Sequence, residues 1–160
     1  MIRGNIAILT VKRIEVCGLT MRVMAIDLGD SRTGLAVSDE SASLVGDAWV
    51  IHEKNMTAAA QTIANEAAVR GVGLIVVGYP KNMDGSIGPR AEKSERLAES
   101  LRSLCEIEIV LWDERLTTLR AHRILTENRR YGKKRKNTVD AVAASLILEE
   151  YLHYLSLQNP

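Results

Sequence analysis

One short stretch of this chain, MAIDLGDSRTGLAVSD at residues 24–39, predicts a strand, a tight turn and a second strand. The apolar run from Arg22 to Leu28 is short enough for a buried strand, and residues 33–39 predict the next one. The short turn between them favours an antiparallel pair. Asp27 stands where the first strand ends, and a carboxylate in such a place is costly unless it faces a cation. We therefore expect the chemistry of the protein to begin at Asp27.

The rest of the chain alternates helical and strand patterns. They predict a strand at 44–52, a helix at 57–70, a central strand at 74–78, a helix from Pro89, a strand at 107–112, a helix at 117–128 and a last helix from Asn137 or Thr138 to about Leu155. This order predicts an α/β fold with a mixed five-stranded sheet, a three-strand antiparallel meander plus two parallel strands, with helices on both faces. We assign residues 21–157 to one domain and residues 1–20 to an N-terminal extension, for which both a short strand and a mobile segment are compatible with the sequence.

The composition limits the classes of partner. The chain has 160 residues, of which 46% are apolar, enough for one domain with a hydrophobic core. Phe is absent and aromatic residues make up 4%, which argues against base stacking on aromatic side chains as the main way to hold nucleic acid. No apolar run reaches the roughly 20 residues of a membrane span, and Lys12, Arg13 and Glu15 interrupt any signal peptide. We expect a cytoplasmic protein without a membrane partner.

Three apolar elements each carry an acid at one end. Asp27 ends the first strand, and Asp113 and Glu114 follow the strand at 107–112. Asp140 falls in the first turn of the predicted last helix. If the first and last strands are neighbours, the acids converge. We expect no guanidinium to neutralise any of them, and such a pair would count against a nuclease. Converging carboxylates repel unless a divalent ion lies between them, and oxygen ligands suit Mg²⁺ or Mn²⁺. Such a site can hold two ions and cleave a phosphodiester.

Each acid also has a simpler interpretation. Asp140 can stabilise its helix through the helix dipole, Glu114 can pair with Arg115 or Arg120 at the surface, and Asp27 can begin its turn. The conjunction of three acids at three element ends is more specific than any one of them.

Two basic features accompany the acids. The loop GYPKNMDGSIGPR at residues 78–90 connects a strand to a helix, where backbone N–H groups can bind a phosphate with Lys81 and Arg90 as counter-charges. It lacks the Gly-Lys-Ser/Thr ending of a P-loop, and an ordinary connecting loop is the alternative. A run without acids then holds six cations, Arg129, Arg130, Lys133, Lys134, Arg135 and Lys136. Its position before Asp140 favours steering of a nucleic-acid backbone over a merely solvated loop.

The remaining polar residues of interest predict no site. His52, His122 and His153 are scattered, are interpreted as structural or surface residues, and belong to no Ser/His/Asp motif. Cys17 and Cys105 form neither a CxxC pair nor a zinc set, so buried or unreactive thiols are expected.

Four ordered motifs resemble the YqgF family, whose members are also called RuvX, pre-16S rRNA nuclease or Holliday junction resolvase. They are DLGDSRTGLAVSD, GYPKNMDGSIGPRA, WDERLTTLRA and NTVDAVAASLILEEYL, and the match covers residues 21 to about 155. The resemblance implies an RNase H-like fold, a metal-dependent phosphodiesterase, a bacterial cytoplasmic setting and maturation of the 5′ end of 16S rRNA. It also implies metal-binding catalytic acids at Asp27, Glu114 and Asp140. A substrate site is implied at Arg32, Asn82, Asp84, Ser86 and Arg90.

The leading hypothesis is a Mg²⁺- or Mn²⁺-dependent endonuclease acting on structured RNA, with Asp27 bridging two ions. The alternatives are cleavage of branched DNA and a binding module that does not cut. The related RuvC resolvases use four acids, so Asp113 is either the fourth or only a neighbour. An actin-like ATPase or sugar kinase needs two related domains, for which 160 residues leave no room. Both a monomer and a homodimer are compatible with the sequence.

Overall fold

The computed structural model describes residues 21–116 and 134–158, and for residues 116 and 134–138 it describes the backbone alone. Its strands are β1 (Arg22–Leu28), β2 (Thr33–Ser38), β3 (Val45–Ile51), β4 (Val72–Tyr79) and β5 (Glu108–Asp113). They form one sheet in the order β3-β2-β1-β4-β5. The first three strands pair antiparallel, and β4 runs parallel to both β1 and β5. The predicted meander plus two parallel strands is confirmed.

The helices are α1 (Met56–Val69), α2 (Pro89–Leu104) and α3 (Lys134–Gln158), and a 3₁₀ turn (Glu114–Leu116) follows β5. The Asn55 side chain caps α1 by accepting hydrogen bonds from the backbone N–H groups of Thr57 and Ala58, at 2.8 and 3.3 Å. Pro89 is the first residue of α2, as its fixed φ predicts. Within the described part of the chain, no helix is both long and apolar enough to cross a membrane.

Aliphatic side chains cover both faces of the sheet, because successive residues of a strand point to opposite sides. Met24 and Ile26 of β1 pack on one face with side chains of α1 and α2 such as Ile63 and Leu97. On the other face, side chains such as Val23, Ala25 and Val76 pack against α3 through Ala144, Ile147, Leu148 and Tyr151. Both faces of the sheet are thus covered by helices.

Two expectations are wrong. The first strand is not a neighbour of the last, because β4 lies between β1 and β5. The last helix begins at Lys134 rather than at Asn137 or Thr138. Residues 134–138 contain good helix formers and neither Gly nor Pro, so the helical conformation extends a turn further toward the N-terminus. Counted from Lys134, Asp140 is the seventh residue of α3, past its first turn, where a helix-dipole role has little force.

Several predicted features lie outside the described residues. They are the extension at 1–20, the helix at 117–128, the cations Arg129, Arg130 and Lys133, and the side chains of Lys134, Arg135 and Lys136. Cys17 and His122 also belong to these parts of the chain.

Candidate active site

Asp27 lies between two glycines on the α3 face of the sheet. It is paired with Gly34 of β2. On the other side Ile26 is paired with Val77, so the parallel register continues to Gly78 beside Asp27. A glycine inside a strand often marks a place where another group approaches closely. Both glycines here mark such an approach.

Gly34 admits the backbone of α3. A Cβ at position 34 would overlap the carbonyl oxygen of Asp140 and lie 2.6 Å from its carbonyl carbon. The turn of α3 that carries Asp140 therefore rests directly on β2, one strand away from Asp27. The last helix packs above the strand ends, but with a later turn and not with its N-terminus as predicted.

Gly78 admits the side chain of Glu114. A Cβ at position 78 would overlap Glu114 Oε1, with Glu114 Cδ at 3.0 Å and Ile147 Cδ1 at 2.8 Å. The carboxylate thus lies over β4 and extends toward β1, although β5 and β1 are not neighbouring strands. Glu114 therefore approaches Asp27 across Gly78, and not because their strands are neighbours.

Electrostatic effects connect Asp27 with each of the other two carboxylates. Burial, and then the nearby Asp140 carboxylate, raise the pKa of Asp27 to about 6 against an opposing effect of Arg90. Burial, and then Asp27, raise the pKa of Glu114 to about 7, again opposed by Arg90. Asp27 therefore lies in the middle of the group, with one acid on each side. Arg90, at the start of α2, is the cation that faces both Asp27 and Glu114.

Asp140 is paired with Arg32, a contact that the sequence does not predict. Arg32 Nε lies 3.2 Å from Asp140 Oδ2. Burial raises the pKa of Asp140, and the charges of Arg32 and His52 only partly offset that effect. The expectation that no acid meets a guanidinium is therefore wrong for Asp140. Arg32 lies two residues before Gly34, the position where α3 contacts β2, and is therefore close to Asp140.

The donor set fits a hard divalent cation once Arg32 moves. Within residues 21–116 and 134–158, no three His, Cys, Asp or Glu side chains are already arranged as a metal cluster. However, Asp140 Oδ2 is buried and accepts no hydrogen bond from the described residues. Buried oxygens of this kind, on mutually repelling acids, are what Mg²⁺ and Mn²⁺ bind. Asp27, Glu114 and Asp140 are the residues that would hold such ions.

The loop after β4 is tied together by its own polar groups. Asn82 Nδ2 donates to Ser86 Oγ at 2.9 Å, and Ser86 donates to Asp84 Oδ1 from both its hydroxyl and its backbone N–H. The backbone N–H groups of Lys81, Asn82 and Gly85 also donate within the loop or to Tyr79. These backbone N–H groups are therefore not free to bind a phosphate, contrary to the expectation. Asn82, Asp84 and Ser86 fix the conformation of the loop.

A cleft of about 380 Å³ lies between this loop and Glu114. Its walls include Lys81 and Met83 of the loop, Arg90 at the start of α2, and Glu114 and Arg115 after β5. The counter-charges expected at Lys81 and Arg90 thus open onto the same space as Glu114. A cleft with cations on its walls and an acid at one end suits a phosphate chain that leads to the acids.

Asp113 belongs to a different group of side chains. Its register partner Tyr79 places it on the face opposite to Trp112 and Gly78. The backbone N–H of Arg115 donates to Asp113 Oδ1 at 3.0 Å. Its side chain donates to Asp113 Oδ2 from Nε and from Nη2, the latter at 2.6 Å. Although burial raises the pKa of Asp113, the hydrogen bonds from Arg115 outweigh that effect and leave it lowered. This geometry favours a neighbour of Glu114 over a fourth acid of the group.

Four residues of the site were missed from the sequence. Gly34 and Gly78 carry a signal that could have revealed them, since each stands inside a strand pattern. His52 follows β3 and reaches Asp140 electrostatically, although it is exposed, and Arg115 pairs with Asp113. Nothing local in the sequence identifies either contact, because each depends on the packing of separate elements. His153 is exposed, as expected, and the Cys105 thiol, which is half-buried, donates to Leu101 O.

Comparison with known proteins places this arrangement in a family. The sequence model of RuvX, described as Holliday junction resolvase, matches residues 21–154. The chain belongs to the RuvX family. It is 42% identical over 133 residues to a protein of Caldanaerobacter subterraneus subsp. tengcongensis, and 43% identical over 134 residues to one of Halalkalibacterium halodurans. Each alignment covers 82% of this chain and 96% of the relative, and both relatives carry the name "Putative pre-16S rRNA nuclease".

Solved structures support the fold of this RuvX-family chain. Thermus thermophilus RuvC in complex with a Holliday junction substrate superposes with a TM-score of 0.55 at 11% identity, covering 87% of this chain and 97% of RuvC. The Fowlpox virus resolvase in complex with its Holliday junction DNA gives a TM-score of 0.54 at 12% identity, covering 84% of this chain and 99% of the resolvase. At such identities the likeness concerns the fold, and it confirms the predicted RNase H-like architecture.

Proposed function

We propose that this protein is a divalent-metal-dependent endonuclease that hydrolyses phosphodiester bonds of structured nucleic acid, with precursor 16S rRNA as its substrate in the cytoplasm. One observation carries the proposal. Asp27 is paired with Gly34, which admits the backbone of α3 at Asp140, and Gly78 of the adjacent strand β4 admits the Glu114 carboxylate. The names of relatives at 42–43% identity, which the alignments cover almost completely, support the same activity and the rRNA substrate.

The chain's own residues divide the work. Asp27, Glu114 and Asp140 would hold the ions, Mg²⁺ or Mn²⁺, because Asp140 raises the pKa of Asp27 and Asp27 raises the pKa of Glu114, as neighbouring carboxylates do. Two bound ions would supply an activated water and charge stabilisation of the leaving oxygen. Lys81 and Arg90 would hold phosphates in the cleft beside Glu114. Arg32, Asn82, Asp84 and Ser86 would complete the substrate site, the last three by fixing the loop that carries Lys81.

Branched DNA is the second candidate substrate. The description of the matching family, Holliday junction resolvase, favours it. The acids and cations would serve either substrate, because they act on the phosphate rather than on the base. A binding module without cleavage is the third candidate, and its prediction is that the acids bind no metal.

Cleavage assays separate the candidates. Purified full-length protein is incubated with a precursor 16S rRNA fragment and with a four-way DNA junction, each with and without Mn²⁺. We expect metal-dependent cleavage of the RNA, and a loss of about 100-fold or more in Asp27→Asn. Glu40→Gln, an exposed acid that pairs with Arg22 at the opposite end of β1, is the matched control and should cleave like the wild type.

The outcomes are distinct. Cleavage of the junction alone would assign the protein to DNA, and cleavage by Asp27→Asn at the wild-type rate would remove Asp27 from the mechanism. Calorimetry that detects no binding of millimolar Mg²⁺ or Mn²⁺ would favour the binding module.

A further inference from the structure

Arg32 holds Asp140 with a charge contact that is geometrically incomplete. Its Nε lies 3.2 Å from Asp140 Oδ2, and the two side chains are 32% and 22% exposed. That oxygen is buried, yet it accepts no hydrogen bond from the described residues. Opposite charges have been brought together here without the alignment that makes a guanidinium–carboxylate pair strong.

Neighbouring ion pairs show the contrast. Arg115 donates hydrogen bonds to both carboxylate oxygens of Asp113. Lys93 donates one to Asp30, in the turn after β1. Both of these pairs hold their partners by directed hydrogen bonds, whereas the Arg32–Asp140 pair does not. Of these three pairs, the one at the candidate metal centre is therefore the one held by charge without a directed hydrogen bond.

We propose that Arg32 is a displaceable counter-ion: it neutralises Asp140 in the metal-free protein, gives way to a divalent ion, and then contacts a phosphate of the nucleic acid. The inference rests on the proposed function, and it assigns Arg32 a positioning role toward Asp140 in addition to substrate binding. A guanidinium and a divalent cation compete for the same carboxylate oxygens. The released guanidinium stays beside the acids, at the start of β2, where a phosphate bound for cleavage would lie.

The position of Arg32 supports this exchange. It precedes β2, and its register neighbour across the sheet is His52, just after β3, since Thr33 is paired with Ile51. His52 also acts electrostatically on Asp140. Arg32 and His52 thus both lie on the β2–β3 side of Asp140, whereas the Asp140 charge acts on Asp27 in β1.

Metal titration tests the first half of the proposal. Mn²⁺ binding to the full-length protein is measured by calorimetry at pH 8 for the wild type, Arg32→Gln, Arg32→Lys and Arg22→Gln. Arg32→Gln removes the competitor and should bind Mn²⁺ about 3- to 10-fold more tightly. Arg32→Lys keeps the charge and should restore the wild-type affinity within about twofold. Arg22→Gln, the same change at the opposite end of the adjacent strand, should leave it unchanged.

Nucleic-acid binding tests the second half. The slope of log affinity against log salt is measured for a precursor rRNA fragment, once in EDTA and once in Ca²⁺. In EDTA, Arg32 is held by Asp140, so the wild type and Arg32→Gln should give equal slopes. In Ca²⁺ the wild-type slope should be steeper by about one, because one more phosphate is neutralised. A merely structural role of Arg32 would not make the difference depend on the metal.

Contradictory results separate this inference from the proposed function. If Arg32→Gln binds Mn²⁺ as the wild type does or more weakly, or if the slopes differ equally with and without Ca²⁺, the counter-ion role is wrong. Asp140→Asn is measured in parallel. If it leaves Mn²⁺ binding intact, the proposed metal centre itself fails, whatever the Arg32 variants show.

Discussion

The carboxylate of Glu114 lies over Gly78, in the space that the Cβ of any other residue at position 78 would occupy. Glu114 follows β5, whereas Asp27 ends β1, and β4 separates the two strands. A strand position without a side chain is therefore what allows the two acids to meet. The glycine has a role in the site although it carries no functional group.

Replacement of Gly78 by alanine should disable the site. The new methyl group would overlap Glu114 Oε1 and crowd Ile147 Cδ1, so either the carboxylate or α3 must move. We expect nuclease activity to fall about 100-fold or more, because misplacement of a reacting group by about 1 Å costs on that order. Mn²⁺ affinity, measured by calorimetry, should fall as well.

Gly71→Ala is the control for a loss of stability alone. Gly71 follows α1 with a φ of +68° and has open space around its Cβ position. Alanine there strains the backbone by about 1 kcal/mol without touching the acids. If Gly71→Ala and Gly78→Ala lose equal activity at equal stability, the effect of position 78 is not local to Glu114.

Asp27→Asn should make the metal-free protein more stable. Burial and Asp140 raise the pKa of Asp27 from 3.8 to about 6, which means that the folded state disfavours the ionised carboxylate. At 1.36 kcal/mol per pKa unit, the neutral amide should gain about 1–3 kcal/mol at pH 8. Thermal unfolding in EDTA would show a higher Tm than the wild type, and added Mn²⁺ would raise that Tm little. A lower Tm in EDTA would contradict a destabilising charge at Asp27.

Metal affinity should rise with pH. Because the pKa values of Asp27 and Glu114 are raised to about 6 and 7, the folded protein retains protons on them that an unfolded chain has lost. Their contribution to stability is full below about pH 4 and is lost as the pH rises through 6 and 7. Ions bind the deprotonated carboxylates, so Mn²⁺ binding should tighten from pH 6 to pH 8 and release protons. Calorimetry in two buffers of different ionisation enthalpy measures that release, and pH-independent binding would refute it.

Local patterns predicted the elements well where burial and sequence agree. The strand from Arg22 to Leu28 has the predicted bounds, and Pro89 begins α2 as expected. Both depend on the residues themselves, through a short apolar run and through the fixed φ of proline. The sequence predicts too late a start for α3. Asn137 and Thr138 suit an N-cap, but the basic residues before them continue a helix equally well.

The site was predicted as a set of residues but not as a geometry. The positions of Asp27, Glu114 and Asp140 near the predicted ends of apolar elements single them out, and in the structure Asp27 has an electrostatic link to each of the other two. The route was wrong, since strand order is a property of the whole sheet and not of any segment. The Arg32–Asp140 pair and the mutual hydrogen bonds of Asn82, Asp84 and Ser86 were missed for a related reason. A polar side chain that suits a phosphate also suits a neighbouring polar group, and only packing decides which it meets.

Asp113 and Arg115 should act as one unit. Their hydrogen bonds clamp the residues on either side of Glu114, so the loss of either partner frees the turn that aims that carboxylate. We expect Asp113→Ala and Arg115→Gln each to lower kcat about 10-fold, and the double variant to lose no more than the worse single one. Additive losses would show that Asp113 acts independently of Arg115, as a fourth metal-binding acid would.

Neutralisation of the basic run before Asp140 should weaken binding in a salt-dependent way. Lys134, Arg135 and Lys136 begin α3, whose later turn carries Asp140 over β2, and Lys133 immediately precedes them in the sequence. A backbone attracted by these cations would be delivered to the acids. Replacing all four with glutamine should lower affinity for a precursor rRNA fragment. It should also flatten the slope of log affinity against log salt by up to about 0.7–0.9 for each phosphate that is no longer neutralised. Removal of the exposed cations Lys54 and Arg96 serves as the control for net charge alone. An unchanged slope in the quadruple variant, or an equal change per charge in the control, would show that the run does not contact the nucleic acid.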